Sequence, residues 1–335
     1  MDTDGNLVEL HPPSGGDFGG TLVDAEFMRM LKSLFREEII EQFKQEHMLE
    51  YWQLMEDFEV KKRMYNGTGK LIVKNPPTLA ETYNKVIGTT IENEMKTKSI
   101  KGIEFKQGKI HLAENIGRKL FTKAFDKICE AIDTLLKKVD GIQRIVLVGG
   151  FSESAFLELK ITEKFKDIVL IPKEPGKAVL HGAVMYGGKP TSIATRICPL
   201  TYGIAQMVAF KSHHPAEKKF TIDGKDYCDD VFHVHIRKGT KVAVDHKGSA
   251  KYQKYFRPTQ NLAQTIIQVY ASENTEPEFI DENGCSEIGQ AIVELDRSAH
   301  MGSKIWVKLI FGGTELELVV RDGNHGQKTN AVFKL

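Results

Sequence analysis

An α/β domain followed by an all-β sandwich is the fold that the sequence predicts, and three observations carry it. The chain has 335 residues, long for one small domain and comfortable for two. A strand–helix–strand–helix order runs through residues 142–186, the signature of an α/β layer. After Pro190 the text turns to short alternating runs separated by turn residues, which is sandwich patterning. The join is expected at Gly187-Gly188-Lys189-Pro190-Thr191-Ser192, which divides the chain into 1–190 and 191–335.

The elements follow in order. Residues 22–43 carry Phe27, Met30, Leu31, Leu34 and Phe35 at helical spacing, and residues 51–64 continue in the same style. Residues 120–139 form an amphipathic helix with Leu120, Ala124, Ile128, Ile132 and Leu135 on one side. The apolar run 142–148 reads as a buried strand. A helix over 153–165, a strand over 168–171 and a helix over 176–186 complete the layer. Beyond Pro190, residues 232–236, 265–270, 287–295, 304–311 and 314–321 are strands, with Gly312-Gly313 as the hairpin turn between the last two.

Composition excludes several classes. Lys+Arg is 46 against 45 Asp+Glu, a net charge of +1. That balance argues against nucleic acid as a partner and gives no polybasic membrane contact. No apolar run approaches the ~18 residues of a membrane span, and the opening Met1-Asp2-Thr3-Asp4-Gly5 is not a signal peptide. The four cysteines include no CxxC pair, as expected of free thiols in a reducing compartment. A cytoplasmic protein without a membrane span is therefore expected.

Four places could carry chemistry. Val148-Gly149-Gly150-Phe151-Ser152-Glu153-Ser154 follows a strand and opens a helix. There glycines admit a ligand close to the backbone and free N–H groups attract anions or ring nitrogens; a plain tight turn reads from the same residues. Glu59, Lys62 and Arg63 share one helix face at i, i+3 and i+4, suited to a ribose and a purine edge or to intrahelical ion pairs. The glycine-rich stretch 15–20 precedes a helix and reads as an anion site or as a connector. His233 and His235 lie two apart on a strand, with His213, His214 and His246 nearby in sequence. Metal binding needs further converging ligands, so no metal site is expected.

Taken together, these stretches resemble a known family. Ile145-Val146-Leu147-Val148-Gly149-Gly150-Phe151-Ser152-Glu153, then Ile171-Pro172, then Ala178-Val179-Leu180-His181-Gly182-Ala183 resemble the adenosine motif and last helix of the actin-like ATPase fold. The best match is the heat-shock 70 kDa chaperones. Gly19-Gly20 with Asp24 resembles that family's Gly-Gly helix start, and Glu59, Lys62 and Arg63 resemble its Glu-x-x-Lys-Arg helix. Cys198-Pro199-Leu200-Thr201-Tyr202-Gly203-Ile204 and Ile266-Ile267-Gln268-Val269-Tyr270 resemble parts of its substrate domain. Glu41-Gln42-Phe43-Lys44 and Tyr227-Cys228-Asp229-Asp230-Val231-Phe232 point to a divergent branch. The resemblance runs over nearly the whole chain.

It implies one lobe of an actin-like nucleotide-binding domain, then a β-sandwich that binds peptide. Glu59, Lys62 and Arg63 would hold ribose and purine; Gly149, Gly150, Phe151, Ser152 and Glu153 would lie under and beside the base; Gly19 and Gly20 would face the phosphates of ATP or ADP. Glu153 stands where the common chaperones have an arginine that stacks on adenine, a contact that a carboxylate cannot replace; Phe151 is expected to supply part of the stacking.

The family's phosphate loops and catalytic lysine have no match in this sequence, so hydrolysis is not expected of this chain. Losing several charge-assisted contacts of about 1.5–3 kcal/mol each weakens ATP by roughly 10³–10⁵-fold, leaving a weak or adenosine-only half-site. The face beside residues 15–20 would be uncovered and would favour self-association. In the sandwich the resemblance places the peptide pocket at Tyr255 and Ile267, then Phe232, Val234 and Thr265, with extended segments of client proteins as partners. A helical lid is not expected after the last strands, and peptide exchange would then be fast. A non-enzymatic interaction module with a vestigial nucleotide site is the alternative. A small-metabolite kinase of the same superfold is disfavoured by the β domain.

Overall fold

The computed structural model describes residues 2–97, 100–222, 224–243, 252–254, 264–294, 305–311, 315–322 and 328–334. Strand β1 (Leu7–Val8) is followed by helices α1 (Gly20–Phe35), α2 (Glu37–Glu46) and α3 (Met48–Met64). Strand β2 (Leu71–Lys74), helices α4 (Pro77–Ile87) and α5 (Ile91–Thr97), strands β3 (Ile103–Lys106) and β4 (Lys109–Leu112) and helix α6 (Glu114–Lys138) come next. Strand β5 (Ile145–Val146), helix α7 (Ala155–Phe165), strand β6 (Val169–Leu170) and helix α8 (Pro175–Gly188) close the first half. The second half is β: β7 (Ile193–Ile197), β8 (Thr201–Ala209), β9 (Lys219–Ile222), β10 (Lys225–Ile236), β11 (Lys241–Ala243), β12 (Tyr252–Lys254), β13 (Gln264–Ser272), β14 (Cys285–Glu294), β15 (Ile305–Ile310), β16 (Glu315–Asp322) and β17 (Lys328–Lys334).

The chain forms two compact units, Ser14–Gly187 and a second made of Met1–Pro13 with Gly188–Leu335. The class is mixed α/β with an antiparallel β-rich region towards the C-terminus. No described helix is long and apolar enough to cross a membrane.

In the first unit, α1 buries Val23, Phe27, Leu31, Leu34 and Phe35. The expected single helix over 22–43 is two helices, broken at Arg36, whose φ is +73°. The reason is geometric. At 100° per residue, Ile39, Ile40 and Phe43 on a continuous helix would turn well away from Phe27, Leu31 and Leu34. The break returns all of them to one core. Glu37 and Glu38 then occupy the first turn of α2, where the helix dipole favours negative charge.

Helix α3 buries Leu54, Phe58 and Lys62, an i, i+4, i+8 stripe that ends on a cation. Phe58 stacks flat on Phe27 with centroids 3.8 Å apart. Strands β2, β4 and β3 form an antiparallel sheet in that order, and the β3–β4 turn carries positive φ at Gln107 and Gly108, as tight hairpins require. This sheet, α4 and α5 have no counterpart in the sequence reading. The expected strand 142–148 shortens to Ile145–Val146, which pairs in parallel with Val169–Leu170.

In the second unit, strands β14-β13-β8-β10-β9 make one antiparallel sheet and β12-β15-β16-β17 another. Ile267, Val269 and Val293 of the first share an apolar cluster with Val307, Leu309, Leu316, Leu318 and Val320 of the second. Alternation along β15 and β16 (Val307, Leu309; Leu316, Leu318, Val320) delivers one face of each strand to that cluster. A third sheet pairs β1 in parallel with β7 and β7 antiparallel with β11. Glu9 anchors it by accepting a hydrogen bond from the Ile197 amide at 2.9 Å. The turn residues Gly312-Gly313 lie outside the described residues, although β15 and β16 on either side pair antiparallel.

Candidate functional site

Three segments of the first unit converge. The C-terminal turns of α3 supply Glu59, Lys62 and Arg63, the start of α1 supplies Gly20 and Asp24, and the turn after β5 supplies residues 149–153. Lys62 is the hub. Its side chain is 4% exposed and its Nζ lies 2.7 Å from Asp24 Oδ1. It also donates to the Gly20 carbonyl at 3.3 Å and pairs with Glu59. Arg63 donates through Nε to Glu59 at 2.8 Å and through Nη1 to Glu153 at 3.1 Å.

The turn is built locally. Gly149 has φ +89°, a conformation that favours glycine. Its amide donates to the Pro175 carbonyl at 2.8 Å, which ties the turn to the start of α8. The Ser152 hydroxyl donates to the Gly149 carbonyl at 2.6 Å, and the Leu157 amide donates to Ser154 Oγ at 3.4 Å, capping α7. A Cβ on Gly176 would lie 2.1 Å from Glu153 Oε1, so a larger residue there would displace the Glu153 carboxylate. A Cβ on Gly20 would lie 3.2 Å from Lys62 Nζ and 3.3 Å from Phe151 Cδ2, so the ring and the ammonium both crowd the start of α1. Beside Glu153 opens a cleft of about 520 Å³, bordered also by Ser152, Pro172, Glu174 and Lys177.

Three carboxylates face two cations here. Burial pushes the Asp24 carboxyl up, against the hydrogen bond from Lys62. Burial works in the same sense on Glu59, yet the hydrogen bonds from Lys62 and Arg63 together outweigh it and hold that carboxyl below its ordinary value. The hydrogen bond to Glu59 raises Arg63. Both cations are thus engaged by carboxylates. The arrangement suits a neutral ligand rich in hydroxyls and ring nitrogens better than an anion.

Of the residues singled out in the sequence, Gly20, Glu59, Lys62, Arg63 and Glu153 come together through hydrogen bonds and ion pairs, and the Phe151 ring lies beside Gly20. Gly19 is the N-cap of α1, while Gly149, Gly150 and Ser152 shape the turn. Phe151 packs partly buried against the helical core. Sequence reasoning passed over Gly176 and Pro175, and Asp24 entered it only beside Gly19-Gly20. A carboxylate one turn into a helix whose neighbours are apolar was the available signal.

Of the five residues named for a peptide pocket, the side chains of three are described. Ile267 is wholly buried in the core between the two sheets, Phe232 is buried and Val234 is partly buried. Tyr255 lies outside the described residues, as does the side chain of Thr265. The neighbouring outer face is open instead: Ile266 and its cross-strand partner Ile292 are 50% and 57% exposed. His233 and His235 set their rings 5.7 Å apart, and burial lowers both imidazoles, His235 to about 3. Among the described residues no third ligand joins them, and His246 lies outside that set.

No protein-family model matches the chain. It is similar to heat shock 70 kDa protein 12A of Homo sapiens, 30% identical over 333 residues that cover 95% of this chain and 49% of that protein. The Mus musculus protein of the same name is 30% identical over 331 residues, with the same two shares. Heat shock 70 kDa protein 12B of Homo sapiens is 28% identical over 345 residues, 98% of this chain and 50% of that protein. The chain spans about half the length of the curated relatives it matches.

Proposed function

Since this chain is a homologue of heat shock 70 kDa proteins 12A and 12B, a divergent branch of the heat-shock-70 family, we propose that it couples an adenosine-type half-site to the binding of extended protein segments. The unit Ser14–Gly187 corresponds in this reading to one lobe of an actin-like nucleotide-binding domain. The β-rich unit corresponds to a substrate-binding sandwich. The observation that carries the reading is the 3.1 Å contact of Arg63 with Glu153. It joins the Glu-x-x-Lys-Arg helix to the Gly-Gly turn across 90 residues of chain.

Glu59 and Arg63 orient the ribose hydroxyls and purine edge of ATP or ADP, and Phe151 offers an apolar edge to the base. The excess of carboxylates makes the phosphates weak contributors. Thermal melting with adenosine, AMP, ADP and ATP tests this, because a ligand of the native state raises Tm by mass action. Similar shifts for all four, lost in Arg63→Ala, are the expected result. No shift with any of them overturns the reading.

The client segment adds as a strand along β14, the end strand of its sheet among the described residues. Ile292 on β14, with Ile266 behind it on β13, then offers one apolar patch to a side chain of the added strand. Peptide-array binding that survives Ile266→Asp with Ile292→Asp removes this part of the proposal.

An interaction module with a vestigial nucleotide site is favoured by a different observation. Val179, Leu180, Val184 and Met185 of α8 are all exposed, and a patch of that kind promotes association of two copies. Sedimentation that shows a monomer at high concentration removes self-association. A reducing, cytoplasmic setting belongs to the same proposal, supported by four free thiols, two of them buried. Fractionation of cells expressing the tagged chain tests it.

A further inference from the structure

A second cluster of chemically competent side chains lies in the β-rich unit, and no step of the proposed function uses it. His213, His214 and Glu278 bring one ligand atom each within 4.8 Å of one another. They come from segments some sixty residues apart in the chain: the turn after β8 and the loop between β13 and β14. Consecutive residues on a strand would point to opposite faces. Residues 212–214 form a turn instead, which sets the two imidazoles 4.4 Å apart, edge to face.

Both segments are held before any ligand arrives. The His214 amide donates to the Lys211 carbonyl at 3.0 Å. Glu282 accepts from the amides of Glu278 at 2.7 Å and Phe279 at 2.9 Å. The Glu278 carbonyl accepts from the Phe232 amide at 2.8 Å, which fixes the loop to β10. His213 and Glu278 are exposed and His214 is half-buried, so an ion can enter from solvent.

We propose that His213, His214 and Glu278 form a binding site for one divalent transition-metal ion of the zinc type, with the fourth position taken by water. Two imidazole nitrogens and one carboxylate oxygen are the donor set that borderline ions prefer over calcium or magnesium. Three protein ligands with one open position is a geometry that zinc adopts readily. The bound ion clips the turn after β8 to the loop after β13.

The site carries its own spectroscopic signature. The Lys211 amide donates to His214 Nδ1 at 3.1 Å, so the ring proton sits on Nε2. Coordination through Nδ1 takes that lone pair directly. Coordination through Nε2 requires the proton on Nδ1, which then ceases to accept. By either route the Lys211 amide loses its acceptor and passes to solvent.

The test is a calorimetric titration of the full chain with ZnCl₂, alongside His213→Ala, His214→Ala and Glu278→Gln, with His181→Ala on α8 as control. One ion per chain is expected, and each of the three substitutions weakens binding more than about tenfold while the control binds normally. Co²⁺ should bind without a thiolate charge-transfer band, which separates this site from the cysteines. If a substituted chain melts early in EDTA, the decision passes to the unsubstituted one. There Zn²⁺ must perturb the amide signals of Lys211, His213, His214 and Glu278 first, and Lys211 must lose exchange protection. No saturable binding, binding that survives all three substitutions, a thiolate band, or perturbation centred elsewhere overturns the proposal.

Discussion

Helix α1 buries five apolar side chains, whereas no residue of α8 is buried, and Val179, Leu180, Val184 and Met185 remain between 60 and 75% exposed. The two helices differ in how their apolar residues are arranged. Those of α1 form a stripe opposed by Glu26, Arg29 and Lys32, with Asp24 the one acid at the stripe itself, where it meets Lys62. Those of α8 surround the axis, diluted by glycine and alanine, with Lys177 the lone acid or lysine-type charge between Pro175 and Gly188. A stripe names the face to be covered; an all-round apolar helix does not. The same contrast recurs within one strand, where Ile267 is buried and Ile266 is exposed. It recurs again between imidazoles, with His235 shielded and His213 open to solvent.

Substitutions that exploit this contrast should rank by burial. Phe58→Ala removes the ring stacked on Phe27 and should cost about 3–5 kcal/mol in urea unfolding. Its counterpart on α8, Leu180→Ala, should stay within about 0.5 kcal/mol. Equal effects would break the comparison.

Lys62→Ala comes next. It strands Asp24 and Glu59 beside one another, but their side chains keep 27% and 38% exposure. The loss should therefore be about 2 kcal/mol rather than the ~3–5 of a fully buried pair. Lys62→Met with Glu59→Gln should recover part of it, read by the same unfolding midpoints.

The pH response follows from His235, whose imidazole is held at about 3 by burial. A depressed folded-state value means that the stability this group contributes is complete above its unfolded value of about 6.5 and is lost as pH falls toward 3. Lowering pH from 7.5 to 5 should cost the β-rich unit about 2 kcal/mol through this residue. His235→Gln should flatten the decline in Tm over that window. An unchanged slope would show that the imidazole is wetter than the structure has it. Ile266→Asp with Ile292→Asp sets two carboxylates directly opposite on neighbouring strands and should cost about 1–2 kcal/mol together, while peptide binding should be lost from the chain that remains folded.

Periodicity located α1, α3 and α6, because each keeps a helical apolar repeat long enough to read; α7 and α8 were placed by the alternation of strand and helix around them. It passed over the β2–β4–β3 sheet because its strands are four residues each, too short for alternation to stand out. It ran α1 into α2 because a propensity pattern does not register a reversal at one arginine. In the candidate site, spacing along a single helix was enough to group Glu59, Lys62 and Arg63. Their partners Asp24 and Glu153 are 38 and 90 residues away, beyond the reach of any local pattern. For the same reason His213 and His214 were visible in the sequence, while Glu278 was not visibly their neighbour.

Local order was therefore written in the sequence by itself: the change from helical to alternating text near residue 190, the helix faces, and the glycine turn after β5. These depend on dihedral preference and on repeats of 3.6 and 2 residues, which act between near neighbours. Tertiary structure alone decided which charges neutralise one another around Lys62, that Leu7–Val8 pairs with a strand almost two hundred residues later, and that Ile267 rather than Ile266 faces the core. Those outcomes are set by which surfaces meet when the apolar faces are buried, and that is a property of the whole chain.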